Sequence, residues 1–292
     1  MQTKAQHWIQ LGLAIIILSS SGTIGNYLSL WPPMTILLRC VISTVLLWVF
    51  LKITKTPTTV GSGRDFKIAL LVSFFLGANW VTYFYALALS NVAIGMLTVF
   101  TFPVMTTLLE PLINKSRLNP IDLLLALLAF SGMIFIVPEF SLSNDMTVGV
   151  VVGLFSAFFY AVRNILLKKN IAAHSGITLM YIQTLVISIL LLPILFFVDM
   201  PNLVDTLSME WPAVLILAIG TTAIGHTLYV NSFRYFTITA ISIMSNLMPL
   251  LGIVMGIVIL DQLPDRNIII GGSLIMISVM IESIRSSRAR AN

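Results

Sequence analysis

The sequence predicts an all-α membrane protein of ten transmembrane helices, arranged as two inverted five-helix repeats. Three observations carry that expectation. Hydrophobic residues make up 58% of the 292-residue chain and charged residues only 9%, against about 25% charged in soluble domains. Apolar runs recur at a length of about 20 residues, which is what a helix needs to cross a hydrocarbon core of about 30 Å. Segments of the second half also lie over the first at a shift of 146 residues. With so few charges the chain cannot cover a water-facing surface, which excludes a soluble enzyme, a secreted domain and a disordered chain.

The spans follow in order. The first, 8–29, comes after an N-terminus whose one charge is Lys4. It has no small-residue cleavage pattern, so it reads as a retained helix rather than a signal peptide. Trp31-Pro32-Pro33 separates it from the second, 33–52, which holds Arg39 and ends before Thr56-Pro57 and Gly61-Ser62-Gly63. The third, 67–88, contains the run Asn79-Trp80-Val81-Thr82-Tyr83-Phe84-Tyr85-Ala86-Leu87, and the fourth, 92–113, contains Pro103. Asn119-Pro120 opens the fifth, 118–138. The remaining five are 147–167, 176–197, 212–232, 238–260 and 267–284, with Leu263-Pro264-Asp265 between the last two. The two repeats are then residues 1–143 and 144–292.

Orientation follows from lysine and arginine in the short loops, which collect on the cytoplasmic side. With the N-terminus inside, 14 of the 16 basic residues fall on that side, Arg163, Lys168 and Lys169 among them. The opposite loops hold Arg266 together with Glu139, Asp145, Asp199, Asp205 and Glu210. Both termini are expected in the cytoplasm, with the protein in a bacterial inner membrane. The net charge of +5 is explained by this topology, so no nucleic-acid partner is expected. The expected partners are the lipid bilayer and a small-molecule substrate, and nothing in the sequence sets an oligomeric state. Cys40 is the one cysteine and no Cys/His cluster has metal spacing, so neither a cofactor nor a metal is expected.

An odd number of spans per half gives the halves opposite topology. The shift of 146 lays Trp80 to Tyr83 on His226 to Tyr229, and Pro103 on Pro249. A shift of 141 lays Gly12 on Gly153 and Ser19 on Tyr160, and one of 144 lays Arg39 on Gln183. Inverted repeats that meet near the midplane build two alternately exposed gates around one site.

This ordered series, with Arg39 in the second span, an aromatic-rich third and a proline in the fourth, resembles the EamA family of the drug/metabolite transporter superfamily. The resemblance covers nearly the whole chain, once in each half. It implies a ten-helix transporter with a central cavity that moves metabolites such as amino acids, usually outward. The family commonly carries Glu just before the fourth-helix proline and tryptophan in the first helix. Here Phe102, Met248 and Ser19 stand in those places.

Residues three or four apart share a helix face, so Trp80 and Tyr83 point together, as do His226 and Tyr229. An aromatic box with polar tips suits an amphipathic solute, and Asn79 stands beside it. His226 is the one histidine inside a span, and an ionisable group there is a functional candidate. Arg39 either snorkels to the headgroups or faces the cavity and holds a carboxylate, and Gln183 takes the equivalent place. Ser19 in the first helix, with Tyr160 and Asn164 in the sixth, adds small and polar faces. Pro103 and Pro249 each free a backbone carbonyl and are expected to kink their helices, as gating candidates. No carboxylate is expected at mid-membrane, which disfavours a proton-coupled exporter of organic cations. An intramembrane serine protease built on Ser19 to Ser21 and His226 is the remote enzymatic alternative. The expected function is transport of a small metabolite, an amino acid or a related amphipathic solute, and not catalysis.

Overall fold

The computed structural model describes residues 4–61, 63–114, 119–136, 141, 143–168, 174–232, 235–236 and 244–288. Lys115, Arg117, Lys169, Arg234 and Arg290, which enter the charge count, and Glu139 lie outside them. Helices run as α1 Lys4–Tyr27, α2 Pro32–Ile53, α3 Arg64–Leu89, α4 Val92–Val99, α5 Phe102–Asn114, α6 Pro120–Ile136, α7 Asp145–Lys168 and α8 Gly176–Leu191. A 3-10 turn, Leu192–Phe197, leads to α9, Met200–Leu215, a π-helical stretch, Ile216–His226, and α10, Thr227–Ser232. The helices α11, Leu247–Leu260, and α12, Arg266–Arg288, follow.

Among the described residues, eight helical segments are long and apolar enough to cross a membrane, with α4 and α5 forming one and Met200–Ser232 another. The shorter apolar helices α6 and α11, of 17 and 14 residues, stand in the places of the fifth and ninth expected spans. Large apolar side chains such as Leu13, Ile16, Val45, Trp48, Ile134 and Val258 face outward. Surface of that kind is stable against lipid and not against water.

Local chemistry sets the helix ends. Pro32 and Pro33 open α2, where a missing N–H costs nothing because the first turn has no intrahelical acceptor. Asn91 caps α4, its Oδ1 accepting from the Ile94 N–H at 2.9 Å. The two gating prolines depart from expectation. Pro103 cannot donate to the Val99 carbonyl, and the chain takes a tight turn in which the Thr101 N–H donates to the Thr98 carbonyl at 3.2 Å. Pro103 is therefore second in a new helix, α5, and Pro249 is third in α11, just past a turn at Asn246. Both stand in a first turn instead of kinking a continuous helix.

The stretch 198–211 was expected as a loop because of its three acidic residues. It is helical instead. Asp199 stands at the N-cap of α9 and Pro201 lies in the first turn, and Asn202 Nδ2 donates to Asp199 Oδ2 at 2.5 Å. Asp205 and Glu210 then ride on α9, which continues into the π-helical stretch.

The helices pack in a set of long pairings. α3 lies along α7 and α8, and α2 along α8 and the π-helical stretch. α1 lies along that stretch, α10 and α11, while α7 packs on α4 and α5, and α6 on α12. Small residues bring α6 and α12 together, as is usual where packing rather than the hydrophobic effect joins helices in lipid. A Cβ on Gly132 would stand 2.6 Å from the Gly271 carbonyl oxygen, and one on Gly271 would meet the Gly132 carbonyl.

That seam leaves no room for a branched side chain. Gly132→Val is expected to destabilise the protein by about 2–3 kcal/mol through overpacking, read as a lower midpoint of thermal unfolding in detergent. An unchanged midpoint would mean that α6 and α12 are free to part.

Candidate functional site

Asn79, Trp80, Tyr83, Tyr160, His226 and Tyr229 meet at one internal cavity of about 80 Å³, walled also by Ser21, Met96, Phe102 and Met248. They come from α3, α7, the π-helical stretch and α10, so the offset of 146 residues has brought Trp80 and Tyr83 to the same space as His226 and Tyr229. A volume of this size admits several waters but lies below the roughly 300 Å³ at which small-molecule pockets begin. A metabolite needs the walls to part.

Trp80 is the hub. Its ring lies 5.1 Å from the His226 ring, tilted by 49°. On the other side the Arg39 guanidinium carbon stands 4.5 Å from the Trp80 ring centre and 5.5 Å from that of Phe84. Arg39 Nε donates to Thr222 Oγ1 at 2.8 Å and Nη2 to Thr221 Oγ1 at 3.1 Å. Arg39 is 1% exposed, so it neither snorkels to the headgroups nor lines the cavity. It stands behind the cavity wall. Hydrogen bonds from a charged donor contribute roughly 1.5–3 kcal/mol each, and a desolvated cation over tryptophan about 2 kcal/mol. Those terms hold the charge in place where transfer to the headgroups would break them.

The other cavity residues are held just as firmly. Asn79 Nδ2 donates to the Ser156 carbonyl at 3.0 Å and to Ser156 Oγ at 2.7 Å, and Ser156 Oγ returns a bond to the Asn79 carbonyl at 2.9 Å. Asn79 thus joins α3 to α7 while facing the cavity. The Tyr229 and Ser245 hydroxyls lie 2.9 Å apart. Tyr160 meets Phe102 edge to face at 4.7 Å. Gly22 makes room for Tyr83, since a Cβ there would lie 2.5 Å from the Tyr83 hydroxyl.

Five further candidates lie elsewhere. Ser19 is fully buried and its Oγ donates to the Ile15 carbonyl at 2.6 Å. Gln183 Oε1 accepts from Arg163 Nε and Nη2 at 3.3 and 3.0 Å, and Asn164 Oδ1 accepts from Arg163 Nη1 at 3.0 Å. Pro103 lies in the first turn of α5 and Pro249 in the first turn of α11, and neither lines the cavity.

Arg163 is the residue that sequence reasoning misplaced. It was counted with the cytoplasmic charges, yet it is 2% exposed inside α7, over the Tyr160 ring at 5.7 Å. The signal was present, because Arg163 falls within an apolar run one helical turn from Tyr160. The carboxylates Asp122 and Glu282 are also buried, and both pair with Arg285. Neither lines the cavity.

The model of the EamA-like transporter family matches the chain twice, over residues 8–137 and 147–284. A protein of Bacillus subtilis (strain 168), described as the uncharacterized transporter YxxF, is 27% identical over 286 residues, covering 97% of this chain and 91% of its own. A solved crystal structure, 16% identical, superposes with a TM-score of 0.64 over 99% of this chain and 100% of its own, which supports the fold alone.

The contacts of Arg39 set a double-mutant test. Thr221→Val with Thr222→Val leaves a buried guanidinium without its hydroxyls and is expected to cost about 3 kcal/mol. Adding Arg39→Met removes the stranded charge and should recover most of the loss, measured by thermal unfolding of the purified variants. Wild-type stability in the threonine pair would mean that these bonds do not hold the arginine.

Proposed function

The chain belongs to the EamA-like transporter family and is a membrane transporter, and from that premise we propose that it moves a small amphipathic metabolite, of the amino-acid kind, by alternating access around the Trp80–His226 cavity. The observation that carries this reading is that one cavity draws its walls from both halves of the chain, Trp80 and Tyr83 from the first and His226 and Tyr229 from the second. Aromatic faces with hydroxyl and imidazole tips give stacking and hydrogen bonding at one place, and a site between repeats is reached by rocking one against the other.

The architecture in this proposal is ten spans in two inverted repeats, with α6 and α11 as the fifth and ninth crossings and both termini cytoplasmic in a bacterial inner membrane. The pattern of packing supports it. Exchanging α1 with α7, α2 with α8, α3 with the π-helical stretch and α10, α4 and α5 with α11, and α6 with α12 carries each long pairing onto another or, for α2–α8 and α6–α12, onto itself. The helix breaks at Phe100–Thr101 and at Asn246 also follow the offset of 146 residues. These breaks are where the walls part, since an interrupted helix bends without losing further backbone bonds.

Among the described residues no carboxylate lines the cavity, which favours movement of the solute down its own gradient, outward, over proton-coupled export of organic cations. No hydrogen bond joins a serine to His226 among the described residues, and Ser19 is bonded to a carbonyl. These contacts lend a Ser/His nucleophile no support.

Two measurements test the proposal. Trp80→Ala and His226→Ala are each expected to lower solute exchange in proteoliposomes about tenfold, with membrane insertion intact, because stacking and hydrogen bonding contribute roughly 1–2 kcal/mol apiece. Wild-type exchange by both variants would make these residues packing elements. A reporter active only in the cytoplasm should work when fused after Asn292 and fail when inserted at Ser143. Activity at both positions is incompatible with ten inverted spans.

A further inference from the structure

Building on the transport reading, we infer that this cavity selects solutes of net negative charge, a carboxylate before all, because two buried guanidiniums, Arg39 and Arg163, stand behind its aromatic walls with no carboxylate paired to either among the described residues. Arg39 backs Trp80 at 4.5 Å and Arg163 backs Tyr160 at 5.7 Å, and both rings line the cavity. The two arginines are 1% and 2% exposed.

All of their hydrogen-bond partners among the described residues are neutral: the hydroxyls of Thr221 and Thr222 for Arg39, and the amide oxygens of Gln183 and Asn164 for Arg163. Neutral dipoles orient a guanidinium and lower the cost of burying it, but they leave its net charge in place. The buried carboxylates that could cancel that charge, Asp122 and Glu282, are engaged with Arg285. His226, on the cavity wall, has both Arg39 and Arg163 as charged neighbours, so the two fields overlap at the site.

A cleft of one sign between low-dielectric walls concentrates the opposite sign of ion. An anion entering here gains from two charges at once and meets a wall that includes Ser21, Trp80 and Tyr83, side chains that carry O–H or N–H donors. A cation meets aromatic faces that arginines already occupy from behind. A zwitterion gains at its carboxylate and loses at its ammonium, so it ranks between the anion and the cation.

The test is a series on one phenylalanine skeleton, buffered below the amine pKa of phenylalaninamide and read in matched pairs: N-acetylphenylalanine as the anion against N-acetylphenylalaninamide as the neutral form, and phenylalanine as the zwitterion against phenylalaninamide as the cation. Counterflow of each is measured in proteoliposomes holding the full-length protein, with protein-free vesicles as the leak control. The anion is expected to exchange about tenfold faster than the neutral amide, the increment of one charge-assisted contact, with the cation slowest. Arg39→Gln and Arg163→Gln should each narrow the anion-to-neutral ratio several-fold, while Arg39→Lys keeps it, which a purely structural role for the side chain does not anticipate.

If the neutral amide or the cation moves as fast as the anion, charge selection is wrong while transport stands. If no member of the series moves, the transport reading fails and this inference fails with it. An unchanged ratio in both Gln variants would remove the guanidiniums as its source. Should those variants not fold, the wild-type series decides alone.

Discussion

In hydrocarbon there is no water to bond a backbone N–H or carbonyl, so each must find its partner inside the protein. The described regular structure is helical throughout, the form that satisfies its own backbone within one segment. The same constraint explains the hydroxyls. Ser19, Ser73 and Thr98 each donate to the carbonyl four residues back, which buries a polar side chain without a partner from another helix. Where the helix is interrupted, the freed groups lie within the bundle. Thr101 Oγ1 closes on the Thr98 carbonyl at 2.7 Å, and Thr101 is 2% exposed.

Side chains reach between helices at several places, and two of these border the cavity. The Asn79–Ser156 pair locks α3 to α7, and Arg39 with Ser43 locks α2 to the π-helical stretch, Ser43 Oγ donating to the Ala218 carbonyl at 2.8 Å. Toward one end of the bundle, Asn26 Nδ2 donates to the Leu87 carbonyl at 2.6 Å while Gln262 Nε2 donates to Asn26 Oδ1 at 2.5 Å, and the Val92 N–H donates to Gln262 Oε1 at 3.0 Å. Elsewhere Asp65 and His174 pair at 3.2 Å, and Thr178 donates to the Pro57 carbonyl at 2.7 Å. Polar links of this kind are cheap to exchange for water at a membrane surface and costly to break in its interior. In the transport cycle proposed above, that difference would let the ends of the bundle open while the Asn79–Ser156 tie holds.

Much of this was legible in the sequence, and the failures have physical reasons. Hydropathy located the helices because lipid imposes a length on each crossing. The offset of 146 residues pairs Trp80 with His226 in the sequence, and the two rings stand 5.1 Å apart in the structure. Arg163 was misplaced because a charge near the end of an apolar run satisfies a topology count equally well from inside or outside the bundle. The helix α9 was missed because Asp199, Asp205 and Glu210 look like loop chemistry, whereas Asp199 is an N-cap. The partners of Arg39 were out of reach, as Thr221 and Thr222 lie 182 and 183 residues away along the chain. Nothing in composition or periodicity marks a π-helical stretch at all.

That stretch, Ile216–His226, sets the rotational phase of everything after it. Its wide turns carry more residues per revolution than an α-helix, with the Thr222 hydroxyl returning to the carbonyl of Leu217, five residues back. An α-helix advances about 100° for each residue. Deleting one residue there, Gly220 for instance, and letting the helix close back toward α geometry would therefore turn His226 and Tyr229 through about that angle relative to α9, away from the face they share with Trp80. The chain length of this single segment thus acts as a dial: one residue fewer leaves the hydropathy profile nearly unaltered and empties half of the aromatic box.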